Sequence, residues 1–210
     1  MLINYKKFKN GVIKQVNIVN KIKKYDINYV SERYDTYGER GMQMAFLRIG
    51  YLIGVVGLEI KRILDIGYGN GDFLNVCSNV ISECYGNDVS NYPLSDNCKF
   101  IENIFKDNFD VICFFDSLEH FEEIRFISKL KTKYIYISLP WCHYHSDSWF
   151  KNWKHRREDE HIWHFNDNSL INFMLEMGYE KVKISNIEDI IRKSSNEYEN
   201  ILSGIFKKIT

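Results

Sequence analysis

Three glycines separated by single residues follow a short apolar run in the segment ILDIGYGNGDFL, residues 63 to 74. The run ends at Asp65, the glycines are Gly67, Gly69 and Gly71, and an amphipathic stretch comes next. A strand that passes through glycines into a helix forms a turn whose backbone can approach a ligand closely, because no Cβ stands in the way. The segment therefore predicts a turn that binds a nucleotide cofactor.

The acid and the glycine spacing indicate the charge of that cofactor. A dinucleotide fingerprint would place its third glycine at position 72, where the chain has Asp72. The carboxylate of Asp65, facing the turn, repels a pyrophosphate but attracts an ammonium or sulfonium group. S-adenosylmethionine carries both cations and is favoured over a nicotinamide dinucleotide. Asp88, at the end of the next apolar run, can accept hydrogen bonds from two ribose hydroxyls and suits either ligand.

These segments resemble the class I S-adenosylmethionine-dependent methyltransferase family. The family's DxGxGxG motif is matched at residues 65 to 71, its acidic second-strand end at Asp88, and its fourth-strand segment by FDVICFFDSLEHF, residues 109 to 121. The D-x-L-E-H form is similar to that of the subgroup acting on small molecules and sugars. The resemblance implies S-adenosylmethionine as the cofactor. The implied cofactor-binding residues are Asp65, Gly67, Gly69, Gly71, Asp88, Val89, Asp116, Ser117 and Leu118.

Five of the six histidines and all four tryptophans lie in one segment, residues 140 to 165. The resemblance implies that this region contributes to the acceptor pocket, and aromatic planes with polar tips suit a sugar or another planar ring. A neutral histidine can remove the proton of an alcohol acceptor. The candidate catalytic bases are His143, His145, His161 and His164. His164 could instead pack against and cap the helix that follows it.

Paired histidines in this segment, together with nearby acids, could instead hold a metal ion. The pairs are His143 with His145 and His161 with His164, and the acids are Asp147, Asp159 and Glu160. No spacing among them matches a zinc signature and no CxxC is present, so we expect no metal.

A local basic cluster lies in the same segment. Its members are Lys151, Lys154, Arg156 and Arg157. The cluster could hold a phosphate on the acceptor, or it could be neutralised by the acids at 158 to 160 that follow at once.

Seven short β-branched and aromatic runs alternate with helical stretches from residue 62 onward. The runs are ILDI, ECYGND, KFIEN, DVICFF, YIYISL, EKVKIS and NILSGIF. This alternation predicts a Rossmann-like α/β fold with a mostly parallel seven-stranded sheet and helices on both faces. Apolar spacing predicts a helix over residues 72 to 80, a second helix through Phe121, Ile124, Ile127 and Leu130, and a last helix that begins at Asn166 or Asp167 and ends at Gly178.

The first 60 residues show no strand-like alternation and are predicted to form two or three helices, the last over roughly residues 40 to 57. Tyrosines and an arginine in this region could line a lid over the cofactor or acceptor, or simply pack: Tyr29, Arg33, Tyr34 and Tyr37. With no linker or repeat visible, we expect one domain over residues 1–210. It comprises an N-terminal helical cap (1–60), a cofactor-binding core (61–140), and a substrate-side insertion with the C-terminal strands (141–210).

Composition limits the partners and the location. Lys+Arg and Asp+Glu balance at 28 each, so no net charge attracts nucleic acid or a membrane. The five cysteines lack a CxxC pair and are expected to be buried free thiols in the cytoplasm. No N-P-P-Y tetrad follows the fourth strand, which disfavours methylation of adenine or glutamine amino groups. We expect a small-molecule or sugar acceptor, methylated on oxygen rather than nitrogen.

Two other functions stay open at this point. One is a nicotinamide or nucleotide-sugar enzyme on the same fold. The other is a non-catalytic cofactor-binding protein whose aromatic segment docks a partner.

Overall fold

The computed structural model describes residues 3–19, 25–35, 38–193 and 198–210. Ten strands and five α-helices occur within these ranges. The elements, in chain order, are β1 (Tyr5–Lys7), β2 (Ile13–Gln15), α1 (Ile27–Asp35), α2 (Glu39–Val56), β3 (Arg62–Ile66), α3 (Asp72–Cys77), β4 (Glu83–Asn87), β5 (Cys98–Phe100), β6 (Phe109–Phe115), β7 (Thr132–Pro140), α4 (Asp147–Asn152), β8 (Trp163–His164), α5 (Asp167–Glu176), β9 (Tyr179–Ser185) and β10 (Ile201–Lys208).

A seven-stranded sheet forms the centre of the molecule, in the order β5-β4-β3-β6-β7-β10-β9. Neighbouring strands from β5 to β7 are parallel, whereas β10 runs antiparallel to both β7 and β9. All seven runs predicted from the sequence form strands of this sheet. The prediction of a mostly parallel Rossmann-like sheet is therefore confirmed.

The middle strands are apolar along nearly their whole length because both of their faces are covered. Six of the seven residues of β6 are buried, as are four of the five of β3. Strands buried on both faces read as continuous apolar runs rather than alternating ones. Helix α2 covers one face and buries Met44, Ala45, Ile49 and Leu52.

The N-terminal region differs from the expectation of helices alone. Helices α1 and α2 are present, but β1 and β2 precede them and pair antiparallel with each other. Strand β2 also pairs with β8, so that Ile13 lies opposite His164. Each of the two N-terminal strands has only three residues, too few to show alternation, and the partner strand is about 150 positions away. The pairing that stabilises them is invisible in the local sequence.

The segment after β6 also differs from the predicted α-helix. It forms two 3₁₀-helices, Leu118–His120 and Arg125–Lys129. The apolar residues that suggested a helix are spaced by three positions throughout, from Phe121 to Leu130, and this matches the three residues per turn of a 3₁₀-helix. Three of these residues are buried, as expected: Ile124, Ile127 and Leu130. The sequence therefore predicted the buried face of this segment correctly but not the type of helix.

The last helix has the predicted ends. The side chain of Asn166 accepts a hydrogen bond from the Ser169 amide, and the Ser169 hydroxyl accepts one from the Asn166 amide, which forms a capping box. Gly178 follows the helix with a left-handed φ of 85°. All five cysteines are buried and unpaired, as predicted. None of the helices within the described ranges combines the length and apolarity needed to cross a membrane.

Candidate cofactor and acceptor site

The candidate site lies at the carboxyl edge of the central strands. Strand β3 has β4 on one side and β6 on the other, so the strand order reverses beside it. Ligands of open α/β sheets bind at such a switch point, outside the carboxyl ends of the strands. The glycine turn follows β3, Asp88 follows β4 and Asp116 follows β6, so the topology brings the predicted cofactor residues to one edge.

The glycine turn after β3 has the backbone that its sequence predicts. Gly67, Gly69 and Gly71 have φ values of 84°, 59° and 81°, a region that other residues rarely adopt. A Cβ at Gly67 would lie 2.5 Å from the Cβ of Ser117. The Ser117 hydroxyl also donates a 2.7 Å hydrogen bond to the Ile66 carbonyl. The turn and the end of β6 are thus held in direct contact.

Asp88 holds the turn from the side of β4. One carboxylate oxygen accepts a 2.9 Å hydrogen bond from the Gly69 amide, and the other accepts a 2.8 Å bond from the Ser90 amide. Each oxygen has a second lone pair, so the carboxylate can still accept bonds from two hydroxyls of a ligand. Val89 is 79% exposed at the surface beside it, while Leu118 is fully buried in the core.

Asp65 lies near the end of β3, two residues before the glycine turn, and is 2% exposed. Its Oδ1 has no hydrogen-bond partner among the described residues. Burial raises the pKa of this carboxyl to about 7, although the nearby Arg48 lowers it. A buried acceptor without a donor is the feature that a ligand ammonium group would satisfy. The residues around the glycine turn therefore fit the cationic end of S-adenosylmethionine.

Tyr34, at the end of α1, covers the glycine turn. Its phenol lies where a side chain at Gly69 would have to go. Burial raises the pKa of Tyr34, and the carboxylates of Asp116 and Asp65 raise it further, so the phenol is close to both acids. Tyr34 is thus positioned as the lid interpretation requires. Tyr29 packs against Tyr25 instead, with ring centroids 5.1 Å apart.

Arg33 lies over the ring of Tyr29, with its guanidinium carbon 5.9 Å from the ring centroid. Tyr37 lies outside the described residues. Of the four candidates for the lid, the structure therefore brings Tyr34 to the cofactor turn.

Asp116 belongs to a partly buried network of charges that the sequence did not predict. Its Oδ2 lies 2.7 Å from Arg192 and 3.6 Å from Arg48. Both arginines also pair with Glu188, which is fully buried, at 2.7 Å from Arg48 and 3.2 Å from Arg192. Burial would raise the pKa of Asp116, but the charges of the two arginines hold it well below its usual range.

A second group of polar side chains combines Glu119 and His120, which follow β6, with His161, which precedes β8. We call it the Glu-His-His cluster. Glu119 is 1% exposed, and neither of its carboxylate oxygens has a hydrogen-bond partner within the described part of the chain. The rings of His120 and His161 meet edge to face at 4.7 Å. One nitrogen or oxygen atom from each of the three residues lies within 4.8 Å of the other two.

Backbone contacts bring His161 to the cluster from 40 residues away. The Ile162 amide donates to the Glu119 carbonyl at 2.8 Å, and the Trp163 indole donates to the Phe121 carbonyl at 2.7 Å. The Nδ1 of His120 lies 2.8 Å from the Glu160 carbonyl oxygen. A carbonyl can only accept, so Nδ1 carries the proton and Nε2 presents a lone pair.

Burial lowers the pKa of both cluster histidines, and that of His161 falls to about 2. Both imidazoles are therefore neutral at physiological pH. Burial also raises the pKa of Glu119 well above its usual range, and the charge of Asp116 adds to this effect. Glu119 and His120 were not among the candidate bases. Their place immediately after β6, next to predicted cofactor residues, is the signal that could have identified them.

The four candidate bases occupy three different places. His161 belongs to the Glu-His-His cluster. His164 is 2% exposed and packs edge to face on Phe150, and burial lowers its pKa to about 3. His143 and His145 form a stacked row with Trp141, in which ring centroids are 5.4 Å and 6.3 Å apart.

The basic cluster of the same segment is neutralised in part by the acids that follow it. Arg157 lies 3.1 Å from Glu160, and Arg156 lies 3.7 Å from Glu158. These ion pairs support the interpretation of this stretch as a charged loop rather than as a phosphate site.

The strand order, the glycine turn and the carboxylate after β4 define an α/β protein that binds a nucleotide cofactor at its switch point. A family model described as a methyltransferase domain matches residues 34–184. The chain therefore belongs to the methyltransferase-domain family and is a class I S-adenosylmethionine-dependent methyltransferase. No curated protein matches the sequence.

Solved structures share the fold at low sequence identity. A chain of the complex between the Haloferax volcanii Trm112 methyltransferase activator and a methyltransferase is 12% identical, with a TM-score of 0.64, over 90% of this chain and 100% of that one. The magnesium protoporphyrin IX methyltransferase of Synechocystis PCC 6803 is 12% identical, with a TM-score of 0.60, over 88% and 96%. DhpI with bound S-adenosylhomocysteine is 13% identical, with a TM-score of 0.59, over 87% and 92%.

Proposed function

We propose that this methyltransferase methylates a hydroxyl oxygen of a small polar acceptor, such as a sugar or a glycan precursor. The observation that carries the proposal is the Glu-His-His cluster, which presents a buried carboxylate without a donor and neutral imidazoles beside the cofactor edge. A hydroxyl group supplies the hydrogen-bond donor that Glu119 lacks.

The row of rings after β7 suits the body of such an acceptor. Trp141, His143 and His145 stack within about 10° of parallel. Tyr198 adds a ring 4.6 Å from His145. Flat aromatic surfaces with polar edges pack well against a sugar ring or another planar ring. The row follows the carboxyl end of β7 and so lies at the same edge of the sheet as the cofactor turn.

We assign the cofactor contacts to the residues around the turn. Asp65 pairs with the amino group, Asp88 accepts from the ribose hydroxyls, and the three glycines allow close approach of the backbone. Ser117 and Leu118 hold the end of β6 against the turn, Asp116 orients the arginines beside it, and Val89 borders the nucleoside end. The unpaired buried thiols fit a reducing location, the cytoplasm.

When bound, the cofactor supplies a methyl group that passes from the sulfonium sulfur to the acceptor oxygen, while the C–S electron pair stays on sulfur and the hydroxyl loses its proton. The fold accelerates this step by placing the acceptor oxygen in line with the cofactor. The hydroxyl proton is lost at the Glu-His-His cluster. Of the four candidate histidines, His161 is the one that lies in this cluster, whereas His143 and His145 belong to the acceptor row and His164 packs in the core.

The cofactor contacts are tested by calorimetric titration with S-adenosylhomocysteine. Asp88→Ala is expected to weaken binding about tenfold to a hundredfold, because charge-assisted hydrogen bonds to the ribose are lost. Asp96→Ala, an exposed acid in the loop after β4, is the matched control and should bind like the wild type. Equal affinity of Asp88→Ala and the control would show that the ribose binds elsewhere.

The acceptor class is tested with labelled S-adenosylmethionine and paired panels of sugars that differ only in hydroxyl or amino groups. Label is expected on hydroxyl-bearing sugars, and Glu119→Gln should lower turnover at least about a hundredfold while its affinity for S-adenosylhomocysteine is unchanged. Label confined to amino sugars, or full turnover by Glu119→Gln, would contradict the proposal.

A further inference from the structure

The Glu-His-His cluster contains two buried carboxylate oxygens that have no hydrogen-bond donor within the described residues. Glu119 is 1% exposed, yet neither carboxylate oxygen has a partner with the geometry of a hydrogen bond within the described residues. Buried polar atoms in folded proteins almost always have a partner, and an unpaired buried carboxylate is strongly unfavourable. A bound cation would supply the positive charge that this position lacks.

The ligand atoms around Glu119 are those of a metal site. One atom of each of the three residues lies within 4.8 Å of the other two, so a small inward movement would place all three around a single ion. His120 donates from Nδ1 to the Glu160 carbonyl, which is the outer contact that orients metal-binding histidines and frees Nε2 as a ligand. The neighbouring carboxylate of Asp116 is already paired with Arg192, so it does not compete for the ion.

We propose that Glu119, His120 and His161 bind a divalent first-row transition-metal ion. One carboxylate oxygen and two imidazole nitrogens suit Mn²⁺, Fe²⁺, Co²⁺ or Zn²⁺ better than Mg²⁺ or Ca²⁺, which prefer oxygen ligands. Three protein ligands leave coordination positions open for an exchangeable group. The sequence analysis did not consider this set, because His120 lies outside the histidine-rich segment.

This inference deepens the proposed function and rests on it, because an acceptor hydroxyl is the exchangeable group that the open coordination positions would take. An acceptor hydroxyl oxygen that completes the coordination is held in place and its pKa falls. The proton then leaves to water, and the oxygen lone pair forms the new C–O bond as the C–S bond breaks. Glu119 and the two histidines act here as ligands, so the loss of the hydroxyl proton at the cluster needs no free base.

The test is thermal unfolding of the untagged full-length chain after treatment with EDTA, with Mn²⁺, Co²⁺ or Mg²⁺ added back. At about a hundred times the dissociation constant, Mn²⁺ or Co²⁺ should raise the Tm of the wild type by on the order of 5 °C. Mg²⁺ should give a smaller rise. Co²⁺ should also develop a visible absorption band on binding.

Two variants and a control make the result specific. Glu119→Gln and His161→Asn should bind Co²⁺ at least about tenfold more weakly and lose the rise in Tm. His155→Gln changes a histidine outside the cluster, bonded to Asn200, and should keep the response of the wild type. Glu119→Gln keeps the volume of the side chain, so a folded variant is expected.

The outcomes separate this inference from the proposed function. A wild type that gains no Tm and no absorption band while still binding S-adenosylhomocysteine would overturn the metal site alone. The same rise in Tm in Glu119→Gln as in the wild type would also overturn it. A wild type that binds the metal but not S-adenosylhomocysteine would support the metal site and contradict the cofactor assignment.

Discussion

Asp116 and Glu119 both follow β6, three positions apart, but only Asp116 forms ion pairs. Asp116 shares Arg48 and Arg192 with Glu188, so every carboxylate of that network has a guanidinium partner. Glu119 is buried at least as deeply and has none within the described residues. The contrast separates two uses of a buried acid. A paired acid joins elements of the fold, whereas an unpaired acid is retained at a cost in stability and is expected to serve a ligand.

The network around Asp116 joins parts of the chain that are distant in sequence. Arg48 comes from the middle of α2, Asp116 follows β6, and Glu188 and Arg192 follow β9. The guanidinium of Arg48 also lies over the ring of Phe115, 4.1 Å from its centroid. Together these contacts fix the N-terminal helices and the segment before β10 against the cofactor edge.

The largest effect that tests this comparison is expected on the paired side. Glu188→Ala should lower the free energy of unfolding by about 3 kcal/mol, because it leaves the mostly buried Arg48 and the partly buried Arg192 with one carboxylate between them. Urea denaturation measures the change. Glu176→Ala removes the partner of an exposed ion pair with Arg125 and should cost less than about 1 kcal/mol. Similar losses for the two variants would show that the network contributes nothing beyond a surface pair.

A smaller effect is expected at Asp65, whose Oδ1 is unpaired within the described residues like the oxygens of Glu119 and which we propose to pair with the cofactor amine. Its pKa of about 7 means that binding the ammonium group must first remove a proton from part of the molecules. The bound form has the lower pKa, so affinity for S-adenosylhomocysteine should rise with pH up to about 7, by at most about tenfold per unit, and then level. Asp65→Asn should bind weakly with no such slope, and calorimetry from pH 5.5 to 8.5 measures both.

The sign of that dependence discriminates between binding modes. If affinity for S-adenosylhomocysteine fell as pH rose through 7, Asp65 would have to be protonated in the complex. The amino group would then lie elsewhere.

The smallest effect is expected at Glu119, the acid without a partner within the described residues. Glu119→Gln, without metal at pH 7, should unfold within about 1 kcal/mol of the wild type or at higher urea, because no protein partner is lost. The pKa of Glu119 is raised in the folded state, so the wild type binds more protons folded than unfolded and loses stability as pH rises above the usual pKa of glutamic acid. The variant should lack this slope. A loss as large as that of Glu188→Ala would mean that Glu119 has a structural partner.

The cofactor side of the site was predictable because its signals are local. The acid, the three glycines and the amphipathic helix lie within 13 consecutive residues, 65 to 77, and each has a backbone reason to be there. All seven runs form strands. Asn166 caps the start of α5 and the left-handed Gly178 follows its end, as predicted. Secondary-structure propensity and hydrophobic periodicity act over the same short range as these features. The features can therefore be inferred from the sequence alone.

The acceptor side could not be predicted because its parts meet only in the folded chain. Nothing local relates Arg48 to Glu188, or Glu119 to His161, and β1 and β2 exist as strands because β8 pairs with β2. The sequence by itself determined the seven strands, the mostly parallel class of their sheet and the chemistry of the cofactor turn. The tertiary structure alone decided which buried charges are paired, because pairing depends on distances of a few ångströms between residues that the chain brings together from more than 40 positions apart.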